Sequence, residues 1–215
     1  MSLFISQFLL AIIFLTIVFL HGAKKNMGAV LAYRLQSLAV VAFTFSSFLE
    51  TRDILLLIVC LVIFIVKVIF APMFLARLIK KHKLTYSVSS YLNAPLTLIM
   101  IAIFTAIAYS QKFVPLTNLM PGHQTLLHLA LASIFLSLFL IVNRKGVLSQ
   151  IIGVLSLENS IVTFVFYAGL EQSHSLQLGI LFDIFIWIII AIVFMSMIYR
   201  HYDSLDVSRM KQLKD

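Results

Sequence analysis

The sequence predicts an all-α polytopic membrane protein with seven transmembrane helices, and three observations carry that prediction. Hydrophobic residues make up 62% of the 215-residue chain. Charged residues make up only 11%, and the mean hydropathy is +1.09, far outside the range of a soluble domain of this length. Thirdly, the apolar residues gather into runs long enough to cross a bilayer, which takes about 20 residues of helix.

These runs fall at roughly 3–21, 28–49, 54–78, 93–110, 125–142, 147–170 and 175–199. The first, "LFISQFLLAIIFLTIVFL", has no basic flank before it and no A-x-A-like site after it, so it is expected to stay as a span. In the second, "AYRLQSLAV" places Arg34 about a turn and a half from the helix end, close enough to snorkel to the interface. The third, "VIFIVKVIFAPMF", puts Lys67 near mid-span, and Pro72 five residues later withholds a hydrogen bond from the carbonyl of Val68. That carbonyl becomes an acceptor for water or for the ammonium. Between the fourth and fifth runs, "VPLTNLMPGHQ" (114–124) has the prolines and glycine of a surface loop. This loop separates a four-helix region, 1–112, from a three-helix region, 125–200, and a tail follows at 201–215.

The sixth run carries Ser149, Gly153, Ser156 and Ser160, two small-x-x-x-small pairs that suit close helix packing. In the seventh, Gly179, Asp183 and Trp187 recur every four residues along one stripe. In the tail, Asp203 or Ser204 can cap a short helix whose Val207, Met210 and Leu213 form a narrow apolar edge for a partner.

Charge gives the orientation, because lysine and arginine accumulate in short cytoplasmic loops. One set of alternate loops and the tail hold Lys24, Lys25, Arg77, Lys80, Lys81, Lys83, Arg144, Lys145, Arg200, Arg209, Lys211 and Lys214. The other set holds only Arg52 and Lys112. The amino terminus is therefore expected outside and the carboxyl terminus in the cytoplasm, in a multi-pass protein of the cell membrane. The net charge of +8 follows from this division and gives no reason to expect a nucleic-acid partner.

Two acids lie where the bilayer should be. Glu158 sits midway along the sixth run in "LSLENSIV", and Asp183 is about eight residues into the seventh, roughly 12 Å deep at 1.5 Å per residue. A carboxylate at such depth costs about 2.5–3.5 kcal/mol even on insertion scales. Burial raises a carboxyl pKa and a nearby cation lowers it, so a balanced site can load and release a proton near neutral pH. Glu158, Asp183 and Lys67 are therefore the candidates for a proton path. Asn159, Gly179, Arg34 and Pro72 are candidates for helix interface or path support. The competing reading of each acid is a structural group hydrogen-bonded to the next helix, and an asparagine such as Asn159 is more often interhelical glue than chemistry.

Other chemistries are not indicated. The seven glycines form no phosphate loop, and no catalytic triad or two-histidine metal spacing falls inside a span. The single cysteine, Cys60, excludes an intrachain disulfide and a multi-cysteine cluster. No metal, cofactor or catalytic residue is expected on this chain.

Taken together, "YRLQSLAV" (33–40), "FIVKVIFAPMF" (64–74), "QIIGVLSLENSIV" (150–162), "LQLGILFDIFIWIIIAIV" (176–193) and "LDVSRMKQL" (205–213) resemble component E of hydrogenase-4 and formate hydrogenlyase-type complexes. In that family the last three helices are similar to the K subunit of respiratory complex I and the C subunit of Mrp-type antiporters. Glu158 matches the K subunit's intramembrane glutamate, Asp183 stands where its next helix has another glutamate, and Lys67 matches the family's lysine. The resemblance implies a non-catalytic membrane-arm subunit of a nickel–iron hydrogenase-type oxidoreductase complex, coupling electron transfer on partner chains to proton or sodium translocation. Its implied partners are antiporter-like membrane subunits, the quinone-site-type membrane subunit and, indirectly, the hydrogenase module. The alternatives are a purely structural anchor or bridge in such a complex and a free-standing transporter, although no clear internal repeat favours the latter.

Overall fold

The computed structural model describes residues 3–81, 83–87, 89–117 and 124–169, together with the helical positions Leu178, Gly179, Phe182, Phe185, Ile189 and Val193. Among these residues the protein is all-helical, with two isolated antiparallel bridges, Lys25 to Tyr86 and Ser90 to Arg144, and no strand.

The helices are α1 (Leu3–Gly22), α2 (Asn26–Thr51), α3 (Ile54–Lys81), α4 (Ala94–Ala108), the single turn α5 (Val114–Thr117), α6 (Gln124–Asn143) and α7 (Val147–Tyr167). Five of them, α1, α2, α3, α6 and α7, are long and apolar enough to cross a membrane. Local signals set their ends. Arg52 closes α2 in the left-handed region at φ 57°, and its N–H bonds the Phe48 carbonyl at 2.8 Å. Asp53 then caps α3 by accepting from the Leu55 N–H at 2.9 Å. Asn93 caps α4 in the same way through Leu96, with Pro95 in the first turn where a missing N–H is harmless.

The structure departs from the sequence reading in three places. The fourth apolar run yields a helix of only 15 residues, about 22 Å long and shorter than a typical hydrocarbon core of about 30 Å. The segment expected to begin a surface loop at 114 is helical over Val114–Thr117, because Pro115 sits in a first turn, which tolerates it. Finally, α3 is interrupted by a π-helical segment, Phe64–Phe70, directly before Pro72. In this wide register the Ala71 N–H reaches back five residues to Val66. Most of the seventh expected span, including Asp183 and Trp187, and the whole tail lie outside the described residues.

In the bundle, α7 packs between α6 and α2, while α1 lies against α2 and α6, and α4 against α6. The α6 and α7 backbones come close at Gly153 of α7, where an added Cβ would stand 2.9 Å from Ile141 Cγ1 and 3.4 Å from the Ile141 nitrogen. Farther along, the Ser160 and Ser137 hydroxyls meet at 3.3 Å. Gly153 and Ser160 of the small-residue stripe thus face α6, while Ser149 meets the Ser87 hydroxyl at 2.9 Å.

The buried apolar residues separate into two large clusters. One includes Ile17, Phe43, Ile63, Leu136 and Val162; the other includes Tyr33, Leu75, Leu140, Ile152 and Leu155. On α2 the second cluster ends at Tyr33 and the first resumes at Ala39; on α7 the break runs from Leu155 to Val162; on α3 it runs from Ile63 to Ala71. The three breaks face one another at mid-bundle, and polar side chains fill them.

At one end of the bundle, segment 83–93 ties two other connections together. Ser87 N donates to the Lys24 carbonyl at 2.8 Å, Asn26 N to the Thr85 carbonyl at 3.1 Å, and Tyr91 N to the Asn143 carbonyl at 2.9 Å. Lys24, Lys25, Lys83, Arg144 and Lys145 consequently share one end, and Tyr167 Oη donates to the Ser6 carbonyl at the other. Gly153→Val is expected to overpack the α6–α7 seam and lower stability by about 1–3 kcal/mol. Gly28→Ala, whose new Cβ would meet only Phe19 at 4.0 Å, is expected to be tolerated; thermal unfolding in detergent checks both.

Candidate functional site

The polar layer is built around Lys67, which is wholly buried midway along α3. Its Nζ lies 3.0 Å from Glu158 Oε1 and donates to Asn159 Oδ1 at 2.9 Å. Glu158 is 6% exposed and Asn159 fully buried, both midway along α7. Asn159 then donates from Nδ2 to Ser37 Oγ at 3.1 Å and to Gln36 Oε1 at 3.5 Å. Ser37 in turn donates to the Tyr33 carbonyl at 3.0 Å. Lys67, Asn159 and Ser37 thereby form one chain of donors across α3, α7 and α2.

Local structure explains why the side chains converge. The π-helical segment widens α3 at Lys67, so this residue departs from the regular 3.6-residue face and its ammonium meets α7. Consecutive residues of α7 supply opposite functions: Glu158 a charge, Asn159 an amide that accepts from Lys67 and donates to α2. Tyr33, Gln36 and Ser37 are three and four residues apart, on the face that α2 turns inward. The Tyr33 hydroxyl is buried in the same layer, beside Ser37 and within electrostatic range of Glu158.

No protein-family model, curated protein or solved structure matches this chain. The site therefore rests on its own chemistry. Glu158 and Lys67 are its two ionisable groups of opposite sign, and an ion pair withdrawn from water is retained only when further hydrogen bonds support it. Asn159 supplies that support, orienting the pair without exchanging a proton itself.

The other sequence candidates are distributed differently. Arg34 is exposed on the outer face of α2, one residue from the inward-facing Tyr33. Pro72 is buried next to the π-helical segment, one turn beyond Lys67. Gly179 is exposed, with nothing within 4 Å of an added Cβ. Asp183 lies outside the described residues. No cluster of three or more histidine, cysteine, aspartate or glutamate side chains suited to a metal occurs among the described residues.

Sequence reasoning missed Tyr33, Gln36 and Ser37. A signal was present in the polar spacing of α2, where Tyr33, Gln36, Ser37, Thr44 and Ser47 follow one inward face. Arg144 was also missed, having been counted only as a loop cation. It is 5% exposed, and its Nη2 donates to the carbonyls of Leu20 (2.5 Å), His21 (2.6 Å) and Ala23 (3.2 Å) at the carboxyl end of α1. Burial pushes its guanidinium below the usual arginine range, while the partial negative charge of the helix end favours the cation.

Lys67→Met would leave Glu158 without its ammonium and is expected to destabilise the protein by about 3–5 kcal/mol. Lys67→Met with Glu158→Gln should recover most of that loss, as read by thermal unfolding of the two single variants and the double variant in detergent.

Proposed function

We propose that this chain is a membrane-arm subunit of a hydrogenase-4 or formate hydrogenlyase-type complex related to complex I, in which the Lys67–Glu158 pair belongs to a proton or sodium path. The observation that carries the reading is the position of that pair: mid-helix, between two apolar clusters, bonded across α3, α7 and α2. Intramembrane ionisable residues of this kind mark ion routes by default, because their insertion cost must be offset by a role. Glu158 takes up a proton when it leaves Lys67 and returns it when the contact re-forms. Asn159 holds the ammonium in reach during the exchange, and Asp183 continues the route on the following span. Electron transfer, its metal centre and its clusters belong to partner chains, and the antiporter-like and quinone-site-type subunits continue the path.

Glu158→Gln keeps an oxygen acceptor for Lys67 but removes the titratable proton. In the assembled complex it is expected to leave subunit composition unchanged and to lower ion translocation by about tenfold or more, measured with a pH-sensitive dye in proteoliposomes. Translocation at the wild-type rate would remove the relay. One observation favours a structural anchor instead: the Lys67–Asn159–Ser37 chain also joins three helices, and on that reading Glu158→Gln would fail at assembly.

The same reading has seven spans, an outer amino terminus and a cytoplasmic carboxyl terminus in the cell membrane. The five long helices supply five of these spans and α4 a short sixth, and the exposed apolar helical positions Leu178, Phe182, Phe185, Ile189 and Val193 support a seventh. The cations gathered by segment 83–93 support the orientation. With Cys60→Ser as background, Lys112→Cys should react with an impermeant thiol reagent in intact cells, and Lys81→Cys only after permeabilisation.

A further inference from the structure

At the basic end of the bundle, α1 and α4 stand either side of a cleft of about 740 Å³. Its apolar walls are Val18 on α1 and Leu98 and Ile101 on α4, and its polar mouth is formed by His21, Lys24, Tyr91 and Arg144 with Ser87, Ser89 and Ser90. No aspartate or glutamate lines it among the described residues.

Charge complementarity at the mouth selects an anion. Arg144 has five N–H donors, and the two on Nη2 go to the α1 carbonyls. Nη1 has a single long contact, 3.4 Å from Ser87 Oγ, and Nε–H has no partner among the described residues. The guanidinium is thus fixed by Nη2, Nε–H is closed off from the surface, and Nη1 keeps donor capacity for a ligand. Lys24 adds a second, exposed cation, and Lys145 stands 5.0 Å over the Tyr91 ring beside the same mouth. The amino end of α4, at Asn93 and Ala94, contributes the positive pole of its helix.

The apolar half selects a lipid rather than a soluble anion. Val18 is one turn before the end of α1, and Ile101 is two turns into α4, so the walls continue along the spans. Leu98 is 60% exposed, and the groove therefore opens sideways onto the surface where acyl chains run. A tyrosine at the polar boundary suits the headgroup level of a bilayer. We infer that the cleft binds one anionic phospholipid, its phosphodiester at Arg144 and Lys24 and its acyl chains along Val18, Leu98 and Ile101. This requires only that the chain lies in a bilayer and is independent of the ion path.

The full chain in neutral detergent is titrated with dioleoyl phosphatidylglycerol, dioleoyl phosphatidylcholine and inorganic phosphate, with Tm and native mass spectra as readouts. Phosphatidylglycerol is expected to raise Tm and give a one-to-one adduct, and the other two to do neither. Lys24→Glu should weaken the phosphatidylglycerol adduct by about tenfold, whereas Lys80→Glu, exposed at the end of α3 and outside the cleft, should leave it unchanged. Equal stabilisation by phosphatidylcholine would overturn the inference. So would a Tm shift with inorganic phosphate alone, which would mark a soluble-anion site, or equal losses in the two variants, which would mark unspecific attraction.

Discussion

A lysine buried in the middle of a lipid-facing bundle is the constraint around which the rest of this structure is arranged. Fully buried, Nζ is withdrawn from bulk solvent, so its charge must be balanced by protein, and Glu158 does so at 3.0 Å. The pair alone would leave donors and acceptors over. Asn159 takes up one donor and passes the connection to Ser37 and Gln36, which fixes α7 against both α3 and α2. The charge is thereby balanced in one plane, and the contact of Tyr167 with the Ser6 carbonyl, outside that plane, is between neutral groups.

The basic end follows the same rule with different partners. Two carbonyls in the last turn of α1, Leu20 and His21, and that of Ala23 just beyond it accept from Arg144, which reaches across from the α6–α7 connection. Segment 83–93 then bonds backbone to backbone with both neighbouring connections, so that a stretch without regular structure becomes the tie between α1–α2 and α6–α7. The cleft forms beside this tie, where α4 stands away from α1. Its shape and its positive mouth are both products of how the three connections meet.

Much of this was legible in the sequence, and the legible part has a common cause. An ionisable residue in a run of leucines, isoleucines and valines stands out by composition, so Glu158 and Lys67 are legible from the sequence alone. Helix number and approximate ends were legible in five cases because hydropathy reports length directly. The rest depended on azimuth. Arg34 and Tyr33 are adjacent, and the charged member drew attention, yet it is exposed while the tyrosine is fully buried. The proline at 72 was visible, but the π-helical turns before it were not, since they arise from a register shift that residue identity does not encode.

By itself the sequence determined the apolar helices of this protein, the mid-helix positions of Lys67 and Glu158 and the gathering of cations in alternate connections, because these depend on composition and on distance along the helix axis. Tertiary structure alone decided which charges meet. Lys67 and Glu158 are 91 positions apart, and whether they pair depends on the rotation and packing of α3 and α7. The same packing turned Ser37 and Gln36 inward, left Arg34 outside and committed Arg144 to the end of α1. Depth is a one-dimensional property and can be read along the chain; direction around a helix acquires meaning only when a neighbour is in place.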